Sequence, residues 1–128
     1  MSKKYNILHL DDSVLFLDFA KMILDDDRWA YHPVSTEKEV EAYFKQHKTD
    51  LFICDLMLYD ESDAGPGVEL IEKIHKKYPS VKIMVLSARG DDSLRERLIN
   101  KIVYYATKDL RDTQLKKIVI SLLEGDTI

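Results

Sequence analysis

The chain has 128 residues, with 19 Lys and Arg against 23 Asp and Glu for a net charge of -4, and it is 45% hydrophobic and 33% charged. That size supports one domain with its own core and rules out a second, and the acidic balance speaks against direct nucleic-acid binding. Cys54 is the only cysteine, no apolar stretch approaches the roughly 18 residues of a bilayer span, and Met1-Ser2-Lys3-Lys4 lacks the apolar core and cleavage site of a secretory signal, so a reducing, cytoplasmic setting away from the membrane is expected.

Short apolar runs alternate with longer segments of helical period, the pattern of β-α-β units that build a parallel sheet. Strands are predicted at about 5–10, 29–34, 50–55, 81–86 and 102–105. The first helix follows Asp12, capped by Asp12 or Ser13, with Phe16, Phe19, Ala20, Ile23 and Leu24 as its apolar stripe. Asp25-Asp26-Asp27 sits poorly at a helix C-terminus and marks the exit. A second helix starts at Thr36, with Glu39 as capping-box partner and Val40, Tyr43 and Phe44 turned inward.

The third helix is predicted over 67–77, presenting Leu70, Ile71 and Ile74 and stopped by Pro79. The fourth has only Leu94 and Leu98 among charged neighbours, so it is expected to be mostly solvated and lightly anchored. The last, over 111–124, places Leu115, Ile118, Val119 and Leu122 at the spacing of a helix docked on a sheet.

Four of these runs end in chemistry. The first leads into Asp11-Asp12, the third into Asp55, the fourth into Ser87, and the fifth closes near Lys108. In a parallel sheet all five groups meet at the carboxyl edge, where open α/β sheets place their sites. Three carboxylates together repel, which points to a hard divalent cation as their partner. Each residue alone has a plainer reading: Asp11-Asp12 as a helix cap and its neighbour, Ser87 as a turn residue, Lys108 as a solvated lysine, Tyr105 as a half-buried strand aromatic. Their joint spacing argues for a site. His9 reads as a core or strand-edge histidine, and His32, His47 and His75 have no partners at metal-ligand spacing.

Asp11-Asp12, Asp55, Ser87-Ala88, and Tyr105 three residues before Lys108, in that order along the whole chain, resemble a response-regulator receiver domain of two-component signalling. The resemblance implies a single receiver domain over 1–128, with a flavodoxin-like, doubly wound five-stranded parallel sheet in the order 2-1-3-4-5 and helices on both faces. It makes Asp55 the phosphoacceptor for a phosphoryl group from a sensor histidine kinase or phosphotransfer protein. Asp11, Asp12, Asp55 and the backbone carbonyl of Met57 would hold Mg²⁺, Lys108 would pair with one phosphoryl oxygen, and Ser87 would donate to another. Ser87 and Tyr105 would form a switch in which Tyr105 moves inward and reshapes the face of helix four, strand five and helix five for a downstream protein. Such a chain would be a signalling protein rather than an enzyme, promoting only its own phosphorylation and dephosphorylation, as a monomer or a phosphorylation-dependent dimer.

Two departures from the family pattern stand out. Gly67 lies twelve residues after Asp55, where the family has a glycine about eight residues on, so the loop carrying Asp60, Glu61 and Asp63 is longer and acidic. Asp109 follows Lys108 where the family commonly has a cis proline, and a cis bond before a non-proline residue costs roughly 3 kcal/mol more, so a trans bond is predicted. Met57 and Arg89 occupy the variable positions that influence the lifetime of the phosphoryl group. The alternative is a haloacid dehalogenase-like, Mg²⁺-dependent phosphatase, but such enzymes carry a second aspartate two residues after the nucleophile, and here Leu56-Met57 follows Asp55. A flavodoxin-like cofactor binder lacks support, because the first turn has no glycine or hydroxyl-rich loop to hold a phosphate.

Overall fold

The computed structural model describes residues 4–56, 65–88, 90–110 and 112–125. Strands and helices alternate throughout: β1 (Tyr5–Leu10), α1 (Val14–Ile23), β2 (Trp29–Val34), α2 (Glu37–Gln46), β3 (Leu51–Cys54), α3 (Gly65–Lys77), β4 (Lys82–Ser87), α4 (Asp92–Leu98), β5 (Tyr104–Thr107) and α5 (Asp112–Glu124). All four strand pairings are parallel and the order is β2-β1-β3-β4-β5. The chain starts at an inner strand, builds outward to β2, then crosses back to β3. This switch point leaves a crevice beside the carboxyl ends of β1 and β3.

The strands are apolar on both faces because both are covered. Leu8, Leu10, Phe52, Cys54, Ile83 and Val85 pack with Val40, Tyr43 and Phe44 of α2, Val68, Leu70, Ile71 and Ile74 of α3, and Leu98 of α4. The alternate residues Ile7, Leu51, Ile53, Met84 and Leu86 pack with Leu24 after α1 and with Leu115, Ile118 and Val119 of α5. The sheet is therefore doubly wound as expected, with α1 and α5 on one face and the other three helices opposite.

The helix ends follow their capping residues. Ser13 accepts the Phe16 N–H at 3.2 Å to start α1. Thr36 accepts the Glu39 N–H at 3.2 Å, while the Glu39 carboxylate takes the Thr36 hydroxyl at 3.0 Å. Asp91 accepts from Ser93 and Leu94 and starts α4, which buries only Leu98, so its anchoring is as light as the sequence suggests. Gly125, at φ +76°, lets the chain leave α5.

Three expectations need correction. In α1 the buried face is Leu17, Ala20 and then Leu24, whereas Phe19 is 42% exposed, because the helix turns its i, i+3, i+7 row to the sheet. Strand β5 begins two residues late, since the Lys101 and Ile102 N–H groups turn back to the Leu98 carbonyl at 2.8 and 3.1 Å. Helix α3 begins two residues early, with Pro66 in its first turn, where a missing N–H costs nothing. At Gly67 an added Cβ would lie 2.5 Å from the Leu56 carbonyl oxygen, so the third helix rests directly on the backbone next to Asp55.

Candidate functional site

Backbone pairing brings the site together before any side chain acts. The Asp11 N–H donates to the Val34 carbonyl at 3.2 Å, the Asp55 N–H to the Leu10 carbonyl at 3.0 Å, and the Lys108 N–H to the Ser87 carbonyl at 2.8 Å. Each of these residues is thus fixed to the end of a neighbouring strand. Asp11 also accepts the Ser13 N–H at 2.8 Å, so the residue that caps α1 also orients the first acid of the site.

The side chains converge. One carboxylate oxygen each from Asp11, Asp12 and Asp55 lies within 4.8 Å of the others. The Lys108 ammonium sits 2.6 Å from Asp11 Oδ2 and 3.3 Å from Asp55 Oδ2. Asp11 and Asp55 are buried while Asp12 is exposed, so the cluster has one open side. Burial pushes the Asp11 carboxyl above the usual range, and the neighbouring Asp55 charge adds to that, against the pull of Lys108 and the Ser13 N–H. Burial would lower the Lys108 ammonium, but Asp11 and then Asp55 outweigh it and hold the group protonated beyond its ordinary value.

Three carboxylates brought within 4.8 Å of one another form a strongly acidic cluster of the kind a hard divalent cation neutralises. The donors are all hard oxygens, which suits Mg²⁺ rather than a thiolate- or imidazole-seeking metal. Asp11, Asp12 and Asp55 therefore fit the cation expected from the sequence.

Ser87 is fully buried at the end of β4, and its hydroxyl has no hydrogen-bond partner among the described residues. An unmet buried hydroxyl costs about 1–3 kcal/mol, so this position awaits an acceptor. Tyr105 is buried against the α3–α4 face, with the Arg95 guanidinium 5.1 Å from its ring centroid. Met57 and Arg89, and the acidic loop with Asp60, Glu61 and Asp63, lie outside the described residues. The Lys108–Asp109 bond is trans, as predicted, and the Thr107 hydroxyl donates to the Asp109 carboxylate in the turn that carries Lys108.

Two features escaped the sequence reading. The first is an aromatic column behind Lys108: the ammonium lies 4.6 Å from the Phe16 ring centroid, His9 meets that ring edge-on at 6.0 Å, and His9 Nδ1 is 2.6 Å from the Tyr31 hydroxyl oxygen. Burial, with the nearby Lys108 charge, pushes the His9 pKa down to about 3, so its ring is neutral. The second is an exposed apolar face on α1, formed by Val14, Leu15, Phe19 and Met22. Its signal was the run Val14-Leu15-Phe16-Leu17, more apolar than one buried helix face requires.

The response regulator receiver domain family model matches residues 7–120. The transcriptional regulatory protein CitT of Bacillus subtilis is 31% identical over 88 residues, covering 68% of this chain and 37% of that protein, so the chain spans little more than a third of its relative. Among solved structures, a CheY-like response regulator receiver domain protein from Methanospirillum hungatei superposes with a TM-score of 0.83 at 25% identity, covering 97% of this chain and 96% of the other. A response regulator from Thermotoga maritima gives 0.82 at 24% identity, with 94% and 98% covered.

Proposed function

This chain belongs to the response regulator receiver domain family, and from that premise we propose that it is a phosphoaspartate switch in which Asp55 accepts a phosphoryl group from a histidine kinase or phosphotransfer protein. The observation that supports the reading most is a convergence at the sheet edge: the Asp11, Asp12 and Asp55 carboxylates in one cluster, the Lys108 ammonium against two of them, and the buried Ser87 hydroxyl, which has no hydrogen-bond partner among the described residues. Phosphoryl transfer needs positioning and charge neutralisation more than covalent help. Asp11, Asp12 and Asp55 would hold the divalent cation, with Mg²⁺ the expected occupant and the Met57 carbonyl the further ligand that the family resemblance implies; when bound it would neutralise charge on the phosphoryl oxygens. Asp55 presents its carboxylate for in-line attack, Lys108 supplies a compact point charge held beside it, and Ser87 supplies a hydroxyl that has no partner among the described residues. The phosphatase alternative loses ground with family membership, and Leu56 immediately after Asp55 leads to no general acid among the described residues.

The donor reaches Asp55 past α1. Ser13 caps that helix directly after Asp12, so its exposed Val14 and Leu15 border the carboxylates and offer an apolar seat for the helix that bears a phosphohistidine. On the other side, Tyr105 with Arg95, Ile99 and Val103 forms the part of the α4–β5 surface through which Ser87 and Tyr105 pass the signal to a downstream protein.

Incubation with a small phosphodonor and Mg²⁺ is expected to yield one acid-stable, base-labile adduct, absent without the metal and absent in Asp55→Asn. An adduct that survives that substitution sinks the reading. Leu15→Asp is expected to slow transfer from a phosphorylated kinase domain by about tenfold while leaving the small-donor rate within twofold, the loss of one buried apolar contact; equal rates from the kinase would remove α1 from the docking surface.

A further inference from the structure

Lys108 is held from below as well as from the side. Its Nζ has two carboxylate neighbours, Asp11 at 2.6 Å and Asp55 at 3.3 Å, and a third neighbour in the Phe16 ring, whose centroid is 4.6 Å away. The distance is well inside the range at which a ring face attracts an ammonium, and partial burial strengthens that attraction. Phe16 is itself fixed. Its backbone N–H is the donor to the Ser13 cap, His9 meets its ring edge-on with planes at 88°, and Phe19 packs at 6.2 Å on the helix surface. His9 is locked in turn through Nδ1 to the Tyr31 hydroxyl oxygen at 2.6 Å, and Tyr31 also meets the His9 ring edge-on at 5.8 Å.

We propose that Phe16 is a positioning residue for Lys108: its ring face, braced by His9 and Tyr31, holds the ammonium beside Asp55 when the carboxylates are otherwise engaged. The need for such a support follows from the site's own traffic. A cation bound by Asp11 and Asp55 competes for the oxygens that Lys108 now uses, and a phosphoryl group on Asp55 requires the ammonium to shift toward a new oxygen. Carboxylate contacts are directional and are lost in both events, whereas attraction to a ring face tolerates a displacement of the cation across it. The turn that carries Lys108 is fixed at its backbone, by the Lys108 N–H to the Ser87 carbonyl at 2.8 Å and the Leu110 N–H to the Thr107 carbonyl at 3.3 Å, so the ring contributes constraint where the backbone cannot, at the far end of the side chain.

The geometric part stands by itself, and the activity part rests on the phosphoacceptor reading above. The test compares the full chain with Phe16→Leu, which keeps apolar bulk but has no ring, and Phe16→Trp, which keeps a ring face. In wild type the Lys108 Cε methylene protons are expected upfield of the other lysines by ring-current shielding, with the shift lost in Phe16→Leu and kept in Phe16→Trp. Phosphorylation by a small donor with saturating Mg²⁺ is expected to slow about fivefold in Phe16→Leu, the size of one such contact at a part-exposed site, and to recover in Phe16→Trp. Matching amide spectra away from α1 show that both variants are folded. An unshifted Lys108 methylene in wild type overturns the contact. A lost shift with unchanged phosphorylation overturns the positioning role, as does a Phe16→Trp variant as slow as Phe16→Leu. If wild type takes no phosphoryl group at all, the function reading fails, and the methylene shift still decides whether the ring holds the ammonium.

Discussion

The two ends of the sheet hold charge in opposite ways. At the amino end a cavity of about 710 Å³ is lined by Lys45, Lys48, Lys77 and Lys82 with Asp50. Its lysines have structural employment: Lys45 and Lys77 lie in the last turns of α2 and α3, where carbonyl dipoles favour cations, and Lys82 donates to the Leu122 carbonyl in α5. Asp50 there accepts the Asn6 N–H at 2.8 Å. At the carboxyl end buried Asp11 and Asp55 share one ammonium, and the Ser87 hydroxyl has no hydrogen-bond partner among the described residues. Buried, closely juxtaposed titratable groups mark a candidate site more strongly than room does.

The sharpest way to break this contrast is to remove one lysine from each end. Lys108→Ala is expected to lower the phosphorylation rate by about a hundredfold or more, the usual cost of one donor aimed at developing charge. Lys48→Ala, whose side chain is 87% exposed, is expected to change the rate by less than about twofold and stability by under about 0.5 kcal/mol. Comparable losses from both would dissolve the distinction.

Gly67→Ala comes next. The added methyl would meet the Leu56 backbone at 2.5 Å, and backbone cannot move aside as a flexible side chain can. A cost of about 1–3 kcal/mol in urea unfolding is expected, as for overpacking, with a phosphorylation defect because Leu56 adjoins Asp55. Wild-type stability would show that α3 does not rest on that strand end.

A smaller effect concerns pH. His9 has an ordinary pKa of 6.5 and is pushed down to about 3 in the fold, so the unfolded chain takes up a proton that the folded chain refuses. Its stability contribution is complete above pH 6.5 and is lost as pH falls toward 3, by about 1.4 kcal/mol per pH unit. Between pH 6.5 and 5 wild type should lose about 2 kcal/mol that His9→Leu does not lose; parallel curves would contradict the buried neutral ring. Asp11 works the other way, its raised pKa favouring the folded state as pH drops into the range just above 3.8.

Much of this was legible in the sequence because strand ends carry their own punctuation. Asp11, Asp55 and Ser87 each end an apolar run, and parallel pairing turns that linear fact into one edge. Thr36 and Glu39 announced α2 through capping chemistry that is local by nature. What escaped depended on neighbours distant in the chain. Phe19 reads as core on a helical wheel, and only the rotation of α1 that seats Leu17 on the sheet turns it outward. The start of β5 depended on how the end of α4 turned back on Leu98. Phe16 could be placed on a stripe, but its place beneath Lys108 joins residues 92 positions apart, and no periodicity reports that.

Of the three carboxylates in the cluster, Asp55 is the one proposed to take the phosphoryl group. Borohydride reduces an acyl phosphate to an alcohol and leaves a permanent mark on the residue that carried it. After incubation with a small phosphodonor and Mg²⁺, borohydride treatment and peptide mapping should place homoserine at residue 55 alone. Homoserine at Asp11 or Asp12, or unmodified aspartate at all three positions, would contradict the account.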